Sequence, residues 1–202
     1  MQIITIGRQF GSGGRIIAQK LAKRLGINYY DKELITIAAK KSGASPELFE
    51  KVDEEAANSL LYSMVIGMYA TSSRMVNYGE LSINDKIYAL QSEIIEDIAK
   101  KESCVIVGRC ADYVLRENPD VINAFIFSNV EDRIKRAQEE YKIESKNIKE
   151  FILRSDKKRA NYYNFYTGKK WGTVGNYNIC LDSGKLGIEG CVDVLEMIAK
   201  SK

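Results

Sequence analysis

The segment IITIGRQFGSGGR, residues 3–15, constrains the fold more than any other part of the chain. A short apolar run rich in β-branched residues reads as a strand. It enters a glycine-rich turn, and residues 16–25 then follow as an amphipathic helical pattern. Strand, glycine turn and helix predict a βα unit whose turn can cradle an anion. Glycine permits positive φ, so successive N–H groups can face inward, and the helix adds the positive end of its dipole. A βα turn without a ligand satisfies the same pattern.

The turn departs from the standard phosphate loop, Gly, four residues, Gly-Lys-Ser/Thr. Gly11, Ser12 and Gly13 are present, but Gly14 stands at the lysine position and Arg15 at the adjacent hydroxyl position. Arg15 can supply the missing charge from one residue further on, and Arg8 can supply it from the front of the loop. A guanidinium grips two oxygens at once, so the exchange is chemically reasonable without being equivalent.

Beyond the turn, strand patterns recur at 27–30, 104–107, 122–126 and 178–181. Helical patterns fall at 32–42, in a pair between about 46 and 75, and at 83–101, 110–115, 130–141, 148–164 and 188–200. Strands alternating with helices predict a three-layer α/β/α fold around a central parallel five-stranded sheet. The 202 residues are read as one domain, 1–202, carrying a helical insertion at about 43–80. Leu60, Leu61, Met64, Val65, Met68 and Tyr69 recur there at helical spacing. That face fits packing on the core or on a second subunit, which gives a homodimer, and it also fits a mobile lid.

Composition narrows the chemistry. There is no histidine, which removes histidine general bases and Ser-His-Asp or Cys-His pairs. A net charge of +3 does not call for nucleic acid or a membrane surface. No run approaches the roughly 20 apolar residues of a membrane span. Cys104, Cys110, Cys180 and Cys191 form no C-x-x-C pair, so no metal site is expected from them. Cys104 and Cys180 lie in strand-like runs and are expected to be buried. The chain opens on a strand rather than a leader, so a reduced, cytoplasmic protein is expected.

Several residues then carry candidate chemistry. Asp31 ends the second strand, at the sheet edge where α/β ligands gather. It fits a role toward a metal-bound water or substrate hydroxyl and, equally, an N-cap for a helix from Lys32. Gly108 and Arg109 follow the third strand directly, where Arg109 suits an anion or a surface ion pair. Asp112 suits either orienting Arg109 or capping the next helix. Arg133 and Arg136 share a helix face. Arg154 and Arg159 flank Asp156 in a basic stretch, and arginines closing over a transferring phosphoryl group are a large catalytic factor. Tyr162, Tyr163, Phe165, Tyr166 and Trp171 interleave with Lys169 and Lys170. That mixture can bind single strands, but the weak charge favours packed aromatics.

These segments together resemble the cytidylate kinase-like family, a branch of the P-loop nucleoside monophosphate kinases. The likeness rests on residues 6–15, YYDKELI at 29–35, Gly108-Arg109, the basic stretch 154–159 and the tail YNICLDSGKLGI at 177–188. The resemblance implies core, monophosphate-binding and lid parts, the lid at about 133–170. It implies transfer of the γ-phosphoryl group of ATP, with Mg²⁺, to CMP or dCMP as small-molecule acceptor. On that likeness Arg8, Gly11, Ser12, Gly13, Gly14, Arg15 and Arg133 hold ATP. Asp31 and Arg109 face the acceptor, and Arg15, Arg154, Asp156 and Arg159 act in catalysis. The loop lysine, its neighbouring hydroxyl and a strand-ending metal aspartate are absent. A nucleotide-binding protein of the same fold without kinase activity, or a kinase for another small acceptor, remains the alternative.

Overall fold

The computed structural model describes residues 1–31 and 83–201. The insertion expected at 43–80, the Asp31 cap on a helix from Lys32 and a dimer formed through the insertion lie outside the described residues. The chain divides into two compact units, one of Met1–Tyr29 with Lys101–Lys202, the other of Tyr30–Lys100.

Five strands form one parallel sheet: β1 (Ile3–Arg8), β2 (Asn28–Tyr30), β3 (Cys104–Val107), β4 (Val121–Phe127) and β5 (Ile179–Asp182). Their order is β2-β3-β1-β4-β5. β1 pairs with β3 through Ile3↔Cys104 and with β4 through Ile3↔Val121, and β4 pairs with β5 through Ala124↔Ile179. Burial on both faces explains why β3 and most of β1 read as unbroken apolar runs rather than alternating ones.

Helices α1 (Gly14–Leu25) and α6 (Ser183–Lys200) cover one face. Ile17, Ala18, Leu21 and Ala22 of α1 and Cys191, Val192, Leu195 and Ala199 of α6 meet Ile4, Ile6, Val105, Val107, Ala124 and Ile126 of the strands. Outside this core, Arg24 bridges to Asp193, Glu189 and Glu196, and Lys20 bridges to Glu189. Helix α6 begins five residues before the sequence pattern places it, because Asp182 caps it and the left-handed Gly187 (φ 69°) joins two helical pieces. The short α3 (Ala111–Val114) follows β3, and α4 (Val130–Glu139) and α5 (Ile148–Thr167) follow β4 as a packed pair. In the second unit, α2 (Ile83–Lys101) carries an apolar stripe of Leu90, Ile94, Ile95 and Ile98, all buried.

Strand order positions the site. β1 runs through α1 toward β2 on one side, while its neighbour β3 leads toward β4 on the other. Adjacent strands whose connections leave in opposite directions open a crevice at their carboxyl ends. The glycine turn after β1 and the Gly108 turn after β3 both stand at that point.

Candidate phosphate-binding site

The turn between β1 and α1 is held from behind. Gln9 N–H donates to Ile126 O at 3.0 Å, and the Gln9 side-chain oxygen accepts from Ser128 N at 3.1 Å. Ser12 Oγ donates to Gln9 O at 2.9 Å, and Ser183 Oγ donates to Ser12 O at 2.6 Å. Gly13 is the N-cap of α1 at φ 77°, with no side-chain cap. The other long helices of this unit start differently. Asn129 caps α4, Asn147 caps α5 and Asp182 caps α6, each accepting a backbone N–H with its own side chain. The first helical bond of α1 is Ile17 N to Gly13 O, 2.9 Å, so the amides before it find no carbonyl within the helix. An anion fits there, supported by the helix dipole.

Arginines explain why the turn is so rich in glycine. A Cβ on Gly14 would lie 2.5 Å from the Cβ of Arg8, and one on Gly108 would overlap Arg8 Nη1. Arg8 therefore runs past the lysine position and lays its guanidinium on the β3 turn. A side chain at Gly14, lysine included, has no space unless Arg8 moves. At Gly11 a Cβ would sit 2.6 Å from Arg133 O, and at Gly13 it would overlap Ile188 Cδ1 and approach Arg136 Nε to 3.4 Å. Arg15 points outward from the first turn of α1 and is exposed.

Helices α4 and α5 clasp the turn through a buried knot. Asp156 accepts Phe10 N–H at 2.7 Å on one oxygen and Arg133 Nη2 at 2.6 Å on the other. The Arg133 side chain is 4% exposed and that of Asp156 12%. Arg159 lies 3.9 Å from the same carboxylate, donates to Arg8 O at 3.3 Å and stacks its guanidinium 5.4 Å from the Phe10 ring. Phe151 and Tyr141 meet that ring edge-on, at 5.3 and 6.0 Å. Arg136 Nη1 donates to Gly11 O at 2.8 Å, while its Nε lies 3.5 Å from Glu140 Oε1. Among the described residues the Nε atoms of Arg133 and Arg136 are buried without a hydrogen-bond partner. Arg154 faces away, 68% exposed, paired with Glu150 at 2.7 Å.

The turn after β3 is strained. Gly108, Arg109 and Cys110 take φ of 72°, 58° and 55° in succession, a left-handed run that costs non-glycine residues roughly 1–2 kcal/mol each. Gly108 N–H donates to Ile6 O at 3.1 Å and Ala111 N–H to Gly108 O at 3.0 Å, so both neighbouring elements hold the run in place. Such strain concentrates at functional turns. Asp112, two residues past this run, accepts the Tyr163 hydroxyl at 2.7 Å. Burial pushes the Asp112 carboxyl above its ordinary range, with the Tyr163 hydrogen bond opposing the rise. Burial and the neighbouring Asp112 also raise Tyr163 and Tyr177. Asp112 thus serves Tyr163 of α5, where the sequence left a choice between Arg109 and the helix start.

The structure gathers Arg8, Gly11, Ser12, Gly13, Gly14, Arg133, Asp156 and Arg159 around one turn. Arg109 stands on the adjacent turn, Arg15 and Arg154 point outward, and Asp31 is a buried residue of the second unit. Sequence reasoning passed over Phe10, which keys the turn into α5, and over Gln9 and Ser183, which brace it. An aromatic inside a glycine turn was the available signal for Phe10. Cys104 is buried as expected and its thiol is pushed up to about 12 by burial, whereas Cys180 is only partly buried.

A parallel sheet with an uncapped glycine turn at its switch point, ringed by guanidinium groups, places this protein in the class of P-loop kinase folds. Solved structures of that class match along nearly the whole chain. A shikimate kinase from Bacteroides thetaiotaomicron matches at 14% identity and TM-score 0.56, covering 98% of each chain. A gluconokinase from Sinorhizobium meliloti 1021 matches at 13% identity and TM-score 0.55, covering 99% of this chain and 94% of that one. An uncharacterized protein from Eubacterium ventriosum ATCC 27560 is more similar, with 31% identity, TM-score 0.74 and full coverage of both chains. No curated protein matches the sequence. Residues 3–185 match the model of the cytidylate kinase-like family, and the chain belongs to that family.

Proposed function

We propose that the chain transfers the γ-phosphoryl group of ATP to a nucleoside monophosphate, with CMP or dCMP as the leading acceptor. The observation that carries this reading is the uncapped start of α1, with Arg8, Arg136 and Arg159 around its turn. Uncapped amides and partly buried guanidinium groups suit an oligophosphate. ATP, when bound, supplies the transferable phosphoryl group. The turn holds its phosphates, and Arg8 provides the charge that lysine provides in the standard loop. Arg159 adds positive charge beside Arg8, and Asp156 holds Arg133 and Phe10 so that α5 and the turn move together. Arg109 and Asp31 are assigned to the acceptor, and Arg15 and Arg154, both exposed, keep the catalytic roles that the resemblance implies, Arg15 with a contact to ATP.

Mg²⁺ fits less well. Arg15 replaces the usual hydroxyl, Gly108 and Arg109 follow β3 where a carboxylate would serve, and the described residues hold no cluster of three acidic or thiol ligands. Four free cysteines suit a reducing compartment, and no helix among the described residues is long and apolar enough to cross a membrane.

The decisive experiment is ADP release with ATP and a panel of CMP, dCMP, UMP, AMP, shikimate and gluconate. Turnover with CMP or dCMP supports the reading, and turnover only with another member reassigns the acceptor. The lost lysine favours a second reading, nucleotide binding without transfer; ATP binding with no ADP release from any acceptor would establish it. Arg8→Ala is expected to weaken ATP binding more than tenfold, over about 1.4 kcal/mol. Arg15→Ala is expected to weaken it less. Calorimetric titration of both variants checks the ranking, and unchanged affinity in Arg8→Ala removes Arg8 from the role.

A further inference from the structure

Helix α5 reaches two turns with one face. Asp156 accepts Phe10 N–H at 2.7 Å, and Arg159 donates to Arg8 O at 3.3 Å, so both hold the glycine turn and its approach. One helical turn further on, the Tyr163 hydroxyl donates to Asp112 Oδ2 at 2.7 Å, just past the left-handed run at Gly108, Arg109 and Cys110. Steps of three and four residues put Asp156, Arg159 and Tyr163 on the same side of the helix. The rise from the first to the last is about 10 Å. One continuous helix thus spans from the glycine turn to the turn that carries Arg109. Tyr163 is 5% exposed, and Thr167 Oγ1 donates to its carbonyl at 2.7 Å.

The run at 108–110 is a conformation that residues other than glycine hold only when their surroundings impose it. Gly108 N–H, bonded to Ile6 O at 3.1 Å, fixes its amino side to β1. On its carboxyl side, Tyr113 N–H and Val114 N–H return to Cys110 O at 2.9 Å each, bonds within the segment itself. Asp112, in the first turn of α3, makes the side-chain bond that joins this segment to α5. A hydrogen bond is directional, so it sets where α3 stands along α5 more sharply than apolar packing does.

We propose that Tyr163 is a positioning residue for the acceptor: its bond to Asp112 fixes the strained turn, and with it Arg109, relative to the glycine turn that α5 also grips. This inference rests on the phosphoryl-transfer reading and deepens it. Transfer requires two substrates to meet at a set separation, and small misplacements are costly. Tyr163 acts through Asp112 and the turn, and touches neither substrate.

The test uses the full chain with Tyr163→Phe, which keeps the ring and removes only the hydroxyl, alone and combined with Arg109→Ala. ADP release gives KM for CMP, or for the panel member that turns over in its place, and calorimetry gives the affinity for ATP. Tyr163→Phe is expected to raise the acceptor KM roughly 2- to 10-fold, the range of one net hydrogen bond, and to leave ATP affinity unchanged. In the Arg109→Ala background the same substitution is expected to move the acceptor KM by less than about twofold, because the residue it acts through is gone. An unchanged acceptor KM in Tyr163→Phe, or equal losses for acceptor and ATP, overturns the proposal and leaves the phosphoryl-transfer reading standing. Additive effects of Tyr163→Phe and Arg109→Ala overturn it as well. No turnover by wild type with any acceptor overturns both. Should Tyr163→Phe not fold, Asp112→Asn and Asp112→Ala probe the same bond from its other end. The asparagine retains an accepting oxygen and is expected to keep a lower acceptor KM than the alanine, and equal values overturn the proposal.

Discussion

Asp112 shows how one buried carboxyl records its surroundings. Its ordinary pKa is near 4, and burial in the fold raises it. A group whose folded pKa is raised favours the unfolded chain at high pH, where it must be charged in both states. That penalty fades as pH falls through the folded pKa toward about 4. The Asp112→Asn variant, which keeps an acceptor for Tyr163, is therefore expected to gain stability relative to wild type at pH 7, and the gain is expected to shrink as pH is lowered. Urea unfolding of both proteins at pH 7 and pH 5 measures this, and a gain that grows on acidification contradicts it. Arg8 makes the complementary point. Its side chain explains glycine at two positions about a hundred residues apart in sequence, Gly14 and Gly108, and no local pattern reveals such a dependence.

Among the elements, α5 matters most for the site because it carries Asp156 and Arg159, which bond to the glycine turn and Arg8, and Tyr163, which bonds to Asp112. The Arg133–Asp156 pair joins α4 to α5 and, through Phe10 N–H, both to the glycine turn. Removing one member of a buried pair leaves a charge without compensation, at a cost of about 3–5 kcal/mol. Asp156→Asn and Arg133→Met are each expected to lose stability in that range, and the double variant to lose less than the sum. A thermodynamic cycle from urea unfolding checks the coupling. The surface bridges of Arg24 between α1 and α6 are exposed and screened, so their removal is expected to have a small effect.

Over the whole molecule, ligand binding and folding are linked. A ligand that binds only the folded chain raises stability by about 2.7 kcal/mol at one hundred times its dissociation constant. ATP is therefore expected to raise the unfolding midpoint of wild type and to do so much less for Arg8→Ala. Thermal unfolding with and without ATP checks this, and equal shifts in the two proteins would argue against phosphate contact at Arg8. The strand order contributes at this scale too. Only because β3 lies beside β1, and not beside β2 alone, does the strained run from Gly108 to Cys110 meet the glycine turn.

The amino-acid sequence by itself determined the parallel α/β architecture, the position of the glycine turn and most of the arginines around it. Apolar periodicity and glycine placement are local, and local patterns survive without knowledge of the fold. Tertiary structure alone decided that the Arg8 side chain packs beside Gly14 and reaches Gly108, while Arg15 is exposed. It also decided that Asp156 is tied into a buried ion pair, and that the Tyr141 ring, just past α4, meets Phe10 edge-on. Those outcomes depend on which side chains meet across distant segments, and packing settles that only when the sheet is assembled.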